Sequence, residues 1–406
     1  MSLRIYLGAQ VFNGTRLHDG QAVLVEHGRI ADIVATDRIL EAPAGAVVRL
    51  AGGILAPGLI DLQVNGGDGV MLGEAATVAG IARICAAHAR LGATGILPTL
   101  ITDRPEVTRA VVEAGIAAAR ANVPGFLGLH LEGPHLDPRR KGAHDPALIR
   151  AMTDADLALL LHAARHLPAL MVTLAPVAVT LAQIAALAQA GVVVSLGHSD
   201  CTALEARAVF GAGARCATHL FNAMSPLGHR EPGLVGAVLD SPGVDAGLIG
   251  DGVHVVPEAV RVALAAKRGG APSGGLFLVT DAMAVAGTDL AGFSLGGRRI
   301  LRREGRLTLE DGTLAGADCT LPGSVAWLVG KVGMAPEVAL AMASSVPAAV
   351  IGAGERCGAL RPGMPADMVH LDADLALRAV WRGGEPVPGA ESPLAAGGQG
   401  GETGSA

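Results

Sequence analysis

Short apolar runs alternate with Ala-rich stretches through the middle of the chain. The runs are typical of buried strands, and the intervening stretches have the length and periodicity of helices. The predicted strands are LIDLQV (59–64), TGILPTL (94–100), FLGLHLE (126–132), LMVTLAP (170–176), VVVSLGH (192–198), RCATHL (215–220), GLIGD (247–251) and GLFLVTD (275–281). Helices are predicted at 74–91, 103–121, 180–190, 202–212 and 257–268. Eight strand–helix units predict an α/β fold, a (β/α)8 TIM-type barrel rather than an open sheet.

The two ends of the chain have a different pattern. Residues 3–57 and 365–388 contain short strand-like segments separated by Gly and Asn turns. We expect these segments to pair as a small β-sandwich domain built from both chain ends. The predicted domains are the first part of the sandwich (1–57), the barrel (58–358), the second part of the sandwich (359–388) and a low-complexity, disordered tail (389–406).

Composition excludes several classes of partner. With a formal charge of −6 and only 2% aromatic residues, the protein lacks the basic surface and the aromatic stacking surface by which nucleic acids are bound. The five cysteines are scattered without a CxxC pair, which indicates a reducing compartment. The N-terminal segment becomes polar too early for a signal peptide, and no apolar run is long enough for a membrane span. We therefore predict a cytoplasmic protein that binds neither nucleic acid nor membrane.

Polar residues follow the predicted strands at the point where each strand ends. In a barrel this edge carries the reactive groups. A single histidine after an apolar run is more often structural, but several buried polar groups at successive strand ends would be costly without a function. The residues in question are Gln63, Glu132, His198, His219, Asp251 and Asp281.

Two imidazoles and one carboxylate make a suitable set of zinc ligands with a position left open for water. Glu132, His198 and His219 are the candidates for this set. Asp281 is then a candidate general base, which removes a proton from the water and returns one to a leaving nitrogen. The alternative for Asp281 is a structural role as a helix N-cap.

Several local motifs resemble those of the N-acetylglucosamine-6-phosphate deacetylases, a family of the amidohydrolase superfamily. The resemblance extends over residues 1–388 in consistent order. The motifs are PGLIDLQVNGGDG (57–69), HLEGPHLDPRRKGAHDP (130–146), VSLGHSD (194–200), THLFNAMSPLGHREPG (218–233), GDGVHV (250–255), VTDAMAVAGT (279–288) and LAGADCT (314–320). Cys319 and His229 depart from the family pattern.

The resemblance implies a role for each matching residue. Glu132, His198 and His219 would bind the metal, Asp281 would be the acid/base, and His144 would stabilise the oxyanion. A phosphorylated amino sugar would be bound by the following residues: Ala143, Asn222, Ala223, Arg230, His254, Leu314, Ala315 and Gly316. Because some phosphate contacts in the family come from a neighbouring subunit, a homodimer is implied, with Arg230 or His254 reaching the neighbouring site.

The resemblance also bears on the number of metal ions. Many members of the superfamily begin the barrel with His-x-His, which supplies a second ion, but this chain has Gln63 and Asn65 there. None of its three lysines lies in the fourth strand, where some relatives use a carboxylated lysine. We therefore predict one divalent ion per subunit, zinc as first choice and iron, manganese or cobalt as alternatives. Gln63 and Asn65 would position water or act through the other ligands.

Three functions remain to be compared. The first is hydrolysis of N-acetylglucosamine 6-phosphate to glucosamine 6-phosphate and acetate. The second is the same chemistry on N-acetylgalactosamine 6-phosphate or another N-acyl amino sugar. The third is a sugar-phosphate sensor without catalysis, which the presence of the complete ligand set and Asp281 disfavours.

Overall fold

The computed structural model describes residues 3–39, 43, 45–267 and 275–390. The predicted tail therefore lies outside the described residues from position 391 onward. Among the helices that are described, none combines the length and apolar character needed to cross a lipid bilayer.

The first part of the chain forms short strands. They are β1 (Arg4–Leu7), β2 (Gln10–Phe12), β3 (Leu17–His18), β4 (Gln21–Glu26), β5 (Arg29–Ala35), β6 (Val47–Arg49) and β7 (Ile54–Pro57). One sheet has the order β5-β4-β1-β6. The remaining strands, β2, β3 and β7, belong to a second sheet that also contains strands from the other end of the chain.

The central part contains the barrel. Its strands are β8 (Leu59–Val64), the small hairpin β9 (Gly66–Gly67) and β10 (Val70–Met71), β11 (Ala93–Ile101), β12 (Leu129–Glu132), β13 (Leu170–Leu174), β14 (Val193–Leu196), β15 (Cys216–Ala217), β16 (Asp245–Ile249) and β17 (Leu276–Val279). Eight of these pair in parallel in the order β17-β16-β15-β14-β13-β12-β11-β8. Every residue of β8 is buried, as expected for a strand covered on both faces.

Helices follow the barrel strands. They are α1 (Val78–Arg90), α2 (Pro105–Arg120), α3 (Asp154–His166), α4 (Leu181–Gln189), α5 (Ala203–Gly211), α6 (Gly233–Leu239) and α7 (Pro257–Lys267). Three of them, α3, α4 and α5, begin with capping boxes at Thr153, Thr180 and Thr202. The side chain of each threonine accepts a hydrogen bond from the backbone N–H of the residue three positions later. The side chain of that later residue in turn accepts a hydrogen bond from the threonine N–H.

An antiparallel sheet that sequence patterning did not predict follows β17. Its strands are β18 (Gly292–Leu295), β19 (Arg298–Arg303), β20 (Arg306–Leu309) and β21 (Leu314–Ala317). Many of its positions are half-exposed and charged, so the segment lacks the apolar runs that marked the barrel strands. Helices α8 (Leu321–Trp327), α9 (Pro336–Met342) and α10 (Ser345–Val350) follow it.

The last strands return to the second sheet of the sandwich. They are β22 (Met368–Leu371), β23 (Leu377–Arg382) and β24 (Glu385–Pro386), and the sheet order is β24-β23-β22-β7-β2-β3. The predicted (β/α)8 barrel and the sandwich built from both chain ends are therefore confirmed. The exact domain boundaries stay a prediction.

The barrel closes between β8 and β17 by contacts other than a continuous ladder. Asp61 of β8 is fully buried and accepts hydrogen bonds from the backbone N–H and the hydroxyl of Thr280. One residue later, the Asp281 N–H donates to the Gln63 carbonyl over 3.0 Å. The two residues that follow β17 are thereby attached to β8 at the end where the polar residues gather.

Candidate metal centre and active site

The polar residues at the strand ends come together around one cavity. Glu132 is the last residue of β12, whereas His198 and His219 lie two residues beyond β14 and β15, and Asp281 lies two residues beyond β17. All four line a cavity of about 230 Å³. The prediction that these side chains share one edge of the barrel is therefore borne out by their positions.

Three of these residues have an uncommon backbone conformation. The φ angles of His198, His219 and Asp281 are 45°, 31° and 51°. These values lie in the left-handed region, which residues other than glycine rarely adopt. Such strain persists only where surrounding structure supports it, and it concentrates at functional sites. The turns that leave the strands are therefore shaped to direct these side chains toward the cavity.

The side chains of Glu132, His198 and His219 converge on one point. His219 Nε2 lies 3.0 Å from Glu132 Oε1 and 3.1 Å from His198 Nε2, and His198 Nε2 lies 3.3 Å from the same carboxylate oxygen. Ligand atoms around a tetrahedral ion with bonds of about 2.0 Å are separated by roughly 3.3 Å. All three residues are buried, and the donor set fits a divalent ion.

Hydrogen bonding leaves the converging atoms free to act as ligands. His198 Nδ1 lies 2.8 Å from the Arg140 carbonyl oxygen, which can only accept. The ring proton is therefore on Nδ1, and the lone pair on Nε2 faces the other two ligands. Burial opposes ionisation of Glu132, but the adjacent imidazoles of His198 and His219 hold its pKa well below the usual range. Glu132 is thus available as a carboxylate.

Two amides connect the metal ligands with Asp281. Gln63 Nε2 lies 3.1 Å from Glu132 Oε1 and 3.2 Å from Asp281 Oδ1. Asn65 Nδ2 donates to the same Asp281 oxygen over 2.7 Å. Burial and the neighbouring Glu132 carboxylate raise the pKa of Asp281 to about 6. Asp281 can therefore exchange a proton near neutral pH while its orientation is maintained by Gln63 and Asn65.

His144 faces the same cavity as a neutral donor. The Thr102 backbone N–H points at His144 Nδ1 over 3.3 Å, and the Thr102 hydroxyl lies 2.8 Å from the same nitrogen. Because a backbone N–H only donates, Nδ1 accepts and the ring proton is on Nε2. Burial and the nearby His198 lower the pKa of His144 to about 3. Its Nε2–H is 3.8 Å from Glu132 Oε2, close to the predicted metal position.

The rest of the cavity contains most of the residues predicted to bind the sugar. Its wall includes Ala143, Asn222, Ala223, His254, Leu314 and Gly316. His254 is oriented by Asp251, whose Oδ2 lies 2.7 Å from His254 Nδ1, and both side chains are almost fully buried. The other Asp251 oxygen accepts the backbone N–H groups of Val253 and His254. Asp251, noted in the sequence only as a strand end, therefore aligns a cavity-lining imidazole.

Two predicted sugar-binding residues, Arg230 and Ala315, are not part of the cavity wall of this subunit. Arg230 is exposed and is not part of the cavity wall. Ala315 is fully buried in an apolar cluster with Met283 and Ile300, and its two neighbours in the chain, Leu314 and Gly316, line the cavity. Cys201, three residues beyond His198, is buried.

Sequence reasoning missed other residues of the site. Cavity-lining residues without a predicted role are Ile101, Gly142, Ile249, Met283 and Thr313. Gly142 and Met283 belong to motifs that carry predicted catalytic residues, which could have indicated them. Thr102 and the Arg140 carbonyl carried no such signal, because their roles depend on contacts with residues about 40 and 60 positions away.

Comparison with known proteins agrees with this architecture. Residues 54–388 match the model of the amidohydrolase family. An N-acetylgalactosamine-6-phosphate deacetylase from Shewanella sp. (strain ANA-3) is 36% identical over 95% of this chain and 96% of its own length. The human N-acetylglucosamine-6-phosphate deacetylase is 37% identical, with 92% of this chain and 90% of the relative covered.

Solved structures give the same result. N-acetylglucosamine-6-phosphate deacetylase from Pasteurella multocida superimposes with a TM-score of 0.88 at 32% identity, covering 95% of this chain and 99% of the other. A Mycobacterium smegmatis N-acetyl-D-glucosamine-6-phosphate deacetylase, solved as a mutant in complex with N-acetyl-D-glucosamine-6-phosphate, gives 0.84 at 34% identity, with 95% and 100% covered. The chain therefore belongs to the amidohydrolase family, in the group that contains the N-acetylglucosamine-6-phosphate and N-acetylgalactosamine-6-phosphate deacetylases.

Proposed function

We propose that this protein hydrolyses the acetamide of N-acetylglucosamine 6-phosphate to glucosamine 6-phosphate and acetate. The observation that carries the proposal is the convergence of Glu132, His198 and His219 beside Asp281 in a single cavity. The activities of relatives that cover nearly the whole chain support the choice of substrate class.

We expect one divalent ion per subunit, with Glu132 Oε1, His198 Nε2 and His219 Nε2 as its ligands. Zinc is the first choice, and iron, manganese and cobalt are alternatives for such a donor set. When bound, the ion supplies Lewis-acid chemistry, since it polarises a carbonyl and lowers the pKa of a water molecule. Gln63 and Asn65 support a single ion, because their amide groups are directed at carboxylates.

Asp281 is proposed as the general base and acid. Its Oδ1 accepts the amides of Gln63 and Asn65, which leaves Oδ2 to take the proton of the attacking water. The same carboxyl returns a proton to the sugar nitrogen as the C–N bond breaks. A pKa raised to about 6 suits both steps at neutral pH.

His144 is proposed to stabilise the oxygen of the acetyl carbonyl. Its Nδ1 is occupied by Thr102, so the proton on Nε2 is available to the substrate. A neutral imidazole donates this hydrogen bond without placing a second positive charge beside the metal ligands. Such donors act where negative charge develops in the transition state.

The sugar phosphate requires a cation that the cavity of one subunit does not provide. Among the described residues, its wall contains neither arginine nor lysine. Arg230 is exposed, where it can reach a neighbouring molecule. We therefore infer a homodimer in which Arg230 completes the phosphate site of the partner, while Ala143, Asn222, Ala223 and residues 314–316 contact the sugar.

The alternative substrate is N-acetylgalactosamine 6-phosphate. The Shewanella relative is named for the galacto sugar and the human relative for the gluco sugar, yet they are 36% and 37% identical to this chain. Overall sequence identity therefore does not distinguish the two substrates. A sensor without catalysis is disfavoured by the intact ligand set and acid/base.

A cytoplasmic location is supported by five free cysteines.

The proposal is tested by acetate release from both epimeric sugar phosphates with zinc-, iron-, manganese- or cobalt-loaded protein. We expect turnover of both substrate types to require metal, with a higher kcat/KM for the gluco epimer. Equal or better turnover of the galacto epimer would reassign the substrate. No acetate release with any of the four metals would exclude the deacetylase.

A further inference from the structure

A chain of hydrogen bonds crosses the interior of the barrel beneath the candidate metal centre. Ser195 Oγ lies 2.7 Å from Thr218 Oγ1, which lies 2.6 Å from Thr173 Oγ1. Thr173 Oγ1 lies 2.7 Å from His130 Nε2, and His130 Nδ1 lies 3.1 Å from the Leu62 carbonyl oxygen. All four side chains are buried. This interior chain, Ser195–Thr218–Thr173–His130, plays no part in the proposed reaction.

The donors and acceptors available allow only one direction of hydrogen-bond donation along the interior chain. The Leu62 carbonyl can only accept, so His130 carries its ring proton on Nδ1 and accepts at Nε2. Thr173 must therefore donate its hydroxyl proton to His130, and it accepts the proton of Thr218. Thr218, having used its proton, accepts from Ser195. Reversing any link would leave a buried group without a partner.

The interior chain joins the strands that present the metal ligands. His130 is two residues before Glu132 on β12, Thr218 immediately precedes His219, and Ser195 is three residues before His198. Thr173 lies on β13, which presents no ligand, and it connects the β12 and β15 sides of the centre.

Packing around the interior chain leaves little freedom for adjustment. A Cβ added to Gly197, the residue before His198, would lie 2.9 Å from both the Thr173 methyl carbon and the Thr218 Cβ. The strands at this level are therefore in close contact. A change in the hydrogen bonds would move ligand-bearing segments rather than be absorbed by empty space.

We propose that the interior chain is a positioning device that sets the relative placement of Glu132, His198 and His219 and so controls metal affinity. The inference rests on the proposed metal site. Thr173 is the decisive member, because it contacts two other members and is not adjacent in sequence to a ligand. Hydrogen bonds that orient metal ligands typically contribute about 10- to 100-fold to affinity.

The test compares Thr173→Val with Thr173→Ser in the full chain. Valine keeps the shape but removes the hydroxyl, whereas serine keeps the hydroxyl. Thr94→Val is the matched control, since Thr94 is a buried threonine near the start of β11 and outside the interior chain. Zinc affinity is measured by competition with a chelator, and the visible absorption of the cobalt-loaded protein reports the ligand geometry.

We expect Thr173→Val to weaken zinc binding at least tenfold and to alter the cobalt spectrum. Thr173→Ser and Thr94→Val should remain within about threefold of the wild-type protein, a margin well below the weakening expected from a lost orienting hydrogen bond. If Thr173→Val does not fold, Thr218→Val replaces it with the same expectation. Affinity and spectrum unchanged in the folded valine variant would overturn the inference. Failure of the wild-type protein to bind any of the tested metals would instead overturn the metal site itself.

Discussion

Gln63 Nε2 lies within hydrogen-bonding distance of both Glu132 and Asp281, and the distance to Asp281 Oδ1 is 3.2 Å. One carboxamide thereby connects a proposed metal ligand with the proposed acid/base. In this position the amide keeps the two carboxylates close to each other and in fixed orientation, although their charges repel. The relationship explains why an amide, rather than a metal-binding histidine, is useful at this point of the first strand.

Replacing Gln63 by Ala should lower kcat by about 10- to 100-fold, the range found for residues that orient a metal site. The physical reason is that Asp281 retains only the Asn65 donor and Glu132 loses a hydrogen bond. Steady-state kinetics at saturating metal measures the effect. The control is Gln189→Ala, at an exposed position at the end of α4. A kcat equal to that of the control would contradict the role assigned to Gln63.

The pH dependence of kcat/KM should show an acidic limb from Asp281. The pKa of this carboxyl is raised to about 6 by burial and the Glu132 carboxylate. A general base must be deprotonated, so activity should be retained above the pKa and lost as the pH falls through it. A bound cation favours the carboxylate and moves the limb to lower pH.

Asp281→Asn is the companion variant for this measurement. It should reduce kcat by about 10²- to 10⁴-fold while the bound metal is retained, because Asp281 is not one of the three ligands. Asp289→Asn, at an exposed position, is the control. Turnover by Asp281→Asn at the wild-type rate would contradict the role of Asp281 as the general base and acid.

Replacing Asp251 by Ala should raise KM for the sugar phosphate by about tenfold with a smaller change in kcat. The reason is that His254 loses the 2.7 Å contact that directs its ring toward the cavity, a contribution of about 1.5 kcal/mol, as expected for a charge-assisted hydrogen bond. The same variant should behave like the wild-type protein toward the sugar that lacks the phosphate. An equal loss on both substrates would indicate general damage to the site instead of loss of phosphate recognition.

The start of α3 provides a prediction about stability. Arg150 and the two donors of Thr153 hold the pKa of Asp156 well below its usual value, although burial opposes them. The resulting stabilisation is present above the unfolded-state pKa of about 3.9 and is lost as the pH falls through the folded-state pKa. Asp156→Asn should therefore cost about 1 to 2 kcal/mol at pH 7, mainly because the charge-assisted hydrogen bonds from Arg150 are lost.

The comparison for α3 uses denaturant midpoints of wild-type protein, Asp156→Asn and Asp154→Asn. Asp154 is exposed in the same turn and serves as the control. The difference between wild-type protein and Asp156→Asn should shrink below about pH 4, where the unfolded state binds a proton that the folded state does not yet bind. A difference that stays constant across this range would show that ionisation of Asp156 does not contribute.

Much of the architecture could be predicted because buried parallel strands and Ala-rich helices leave strong local patterns. The barrel, the sandwich and the alignment of Glu132, His198, His219 and Asp281 at one edge follow from those patterns. The sheet β18–β21 was missed because its half-exposed, charged strands lack an apolar run. The strands of this sheet are consecutive in the chain, but their packing against Met283 is a tertiary contact that no local pattern indicates.

The supporting contacts of the site could not be predicted, for a different reason. Asp61 meets Thr280 across the closure of the barrel, and Thr102 fixes the tautomer of His144, although each pair is far apart in sequence. Such contacts depend on the three-dimensional arrangement of strands, and no local pattern indicates them. The same is true of Arg230, whose proposed role depends on a neighbouring molecule.

The measurement that tests the central claim most directly is a metal titration followed by acetate release. Protein stripped with a chelator is titrated with zinc while bound metal and hydrolysis of N-acetylglucosamine 6-phosphate are recorded together. We predict no turnover without metal and a linear rise that saturates at one ion per subunit, with His219→Ala failing to respond. Full activity in the stripped protein, or saturation at two ions per subunit, would contradict the single-metal centre formed by Glu132, His198 and His219.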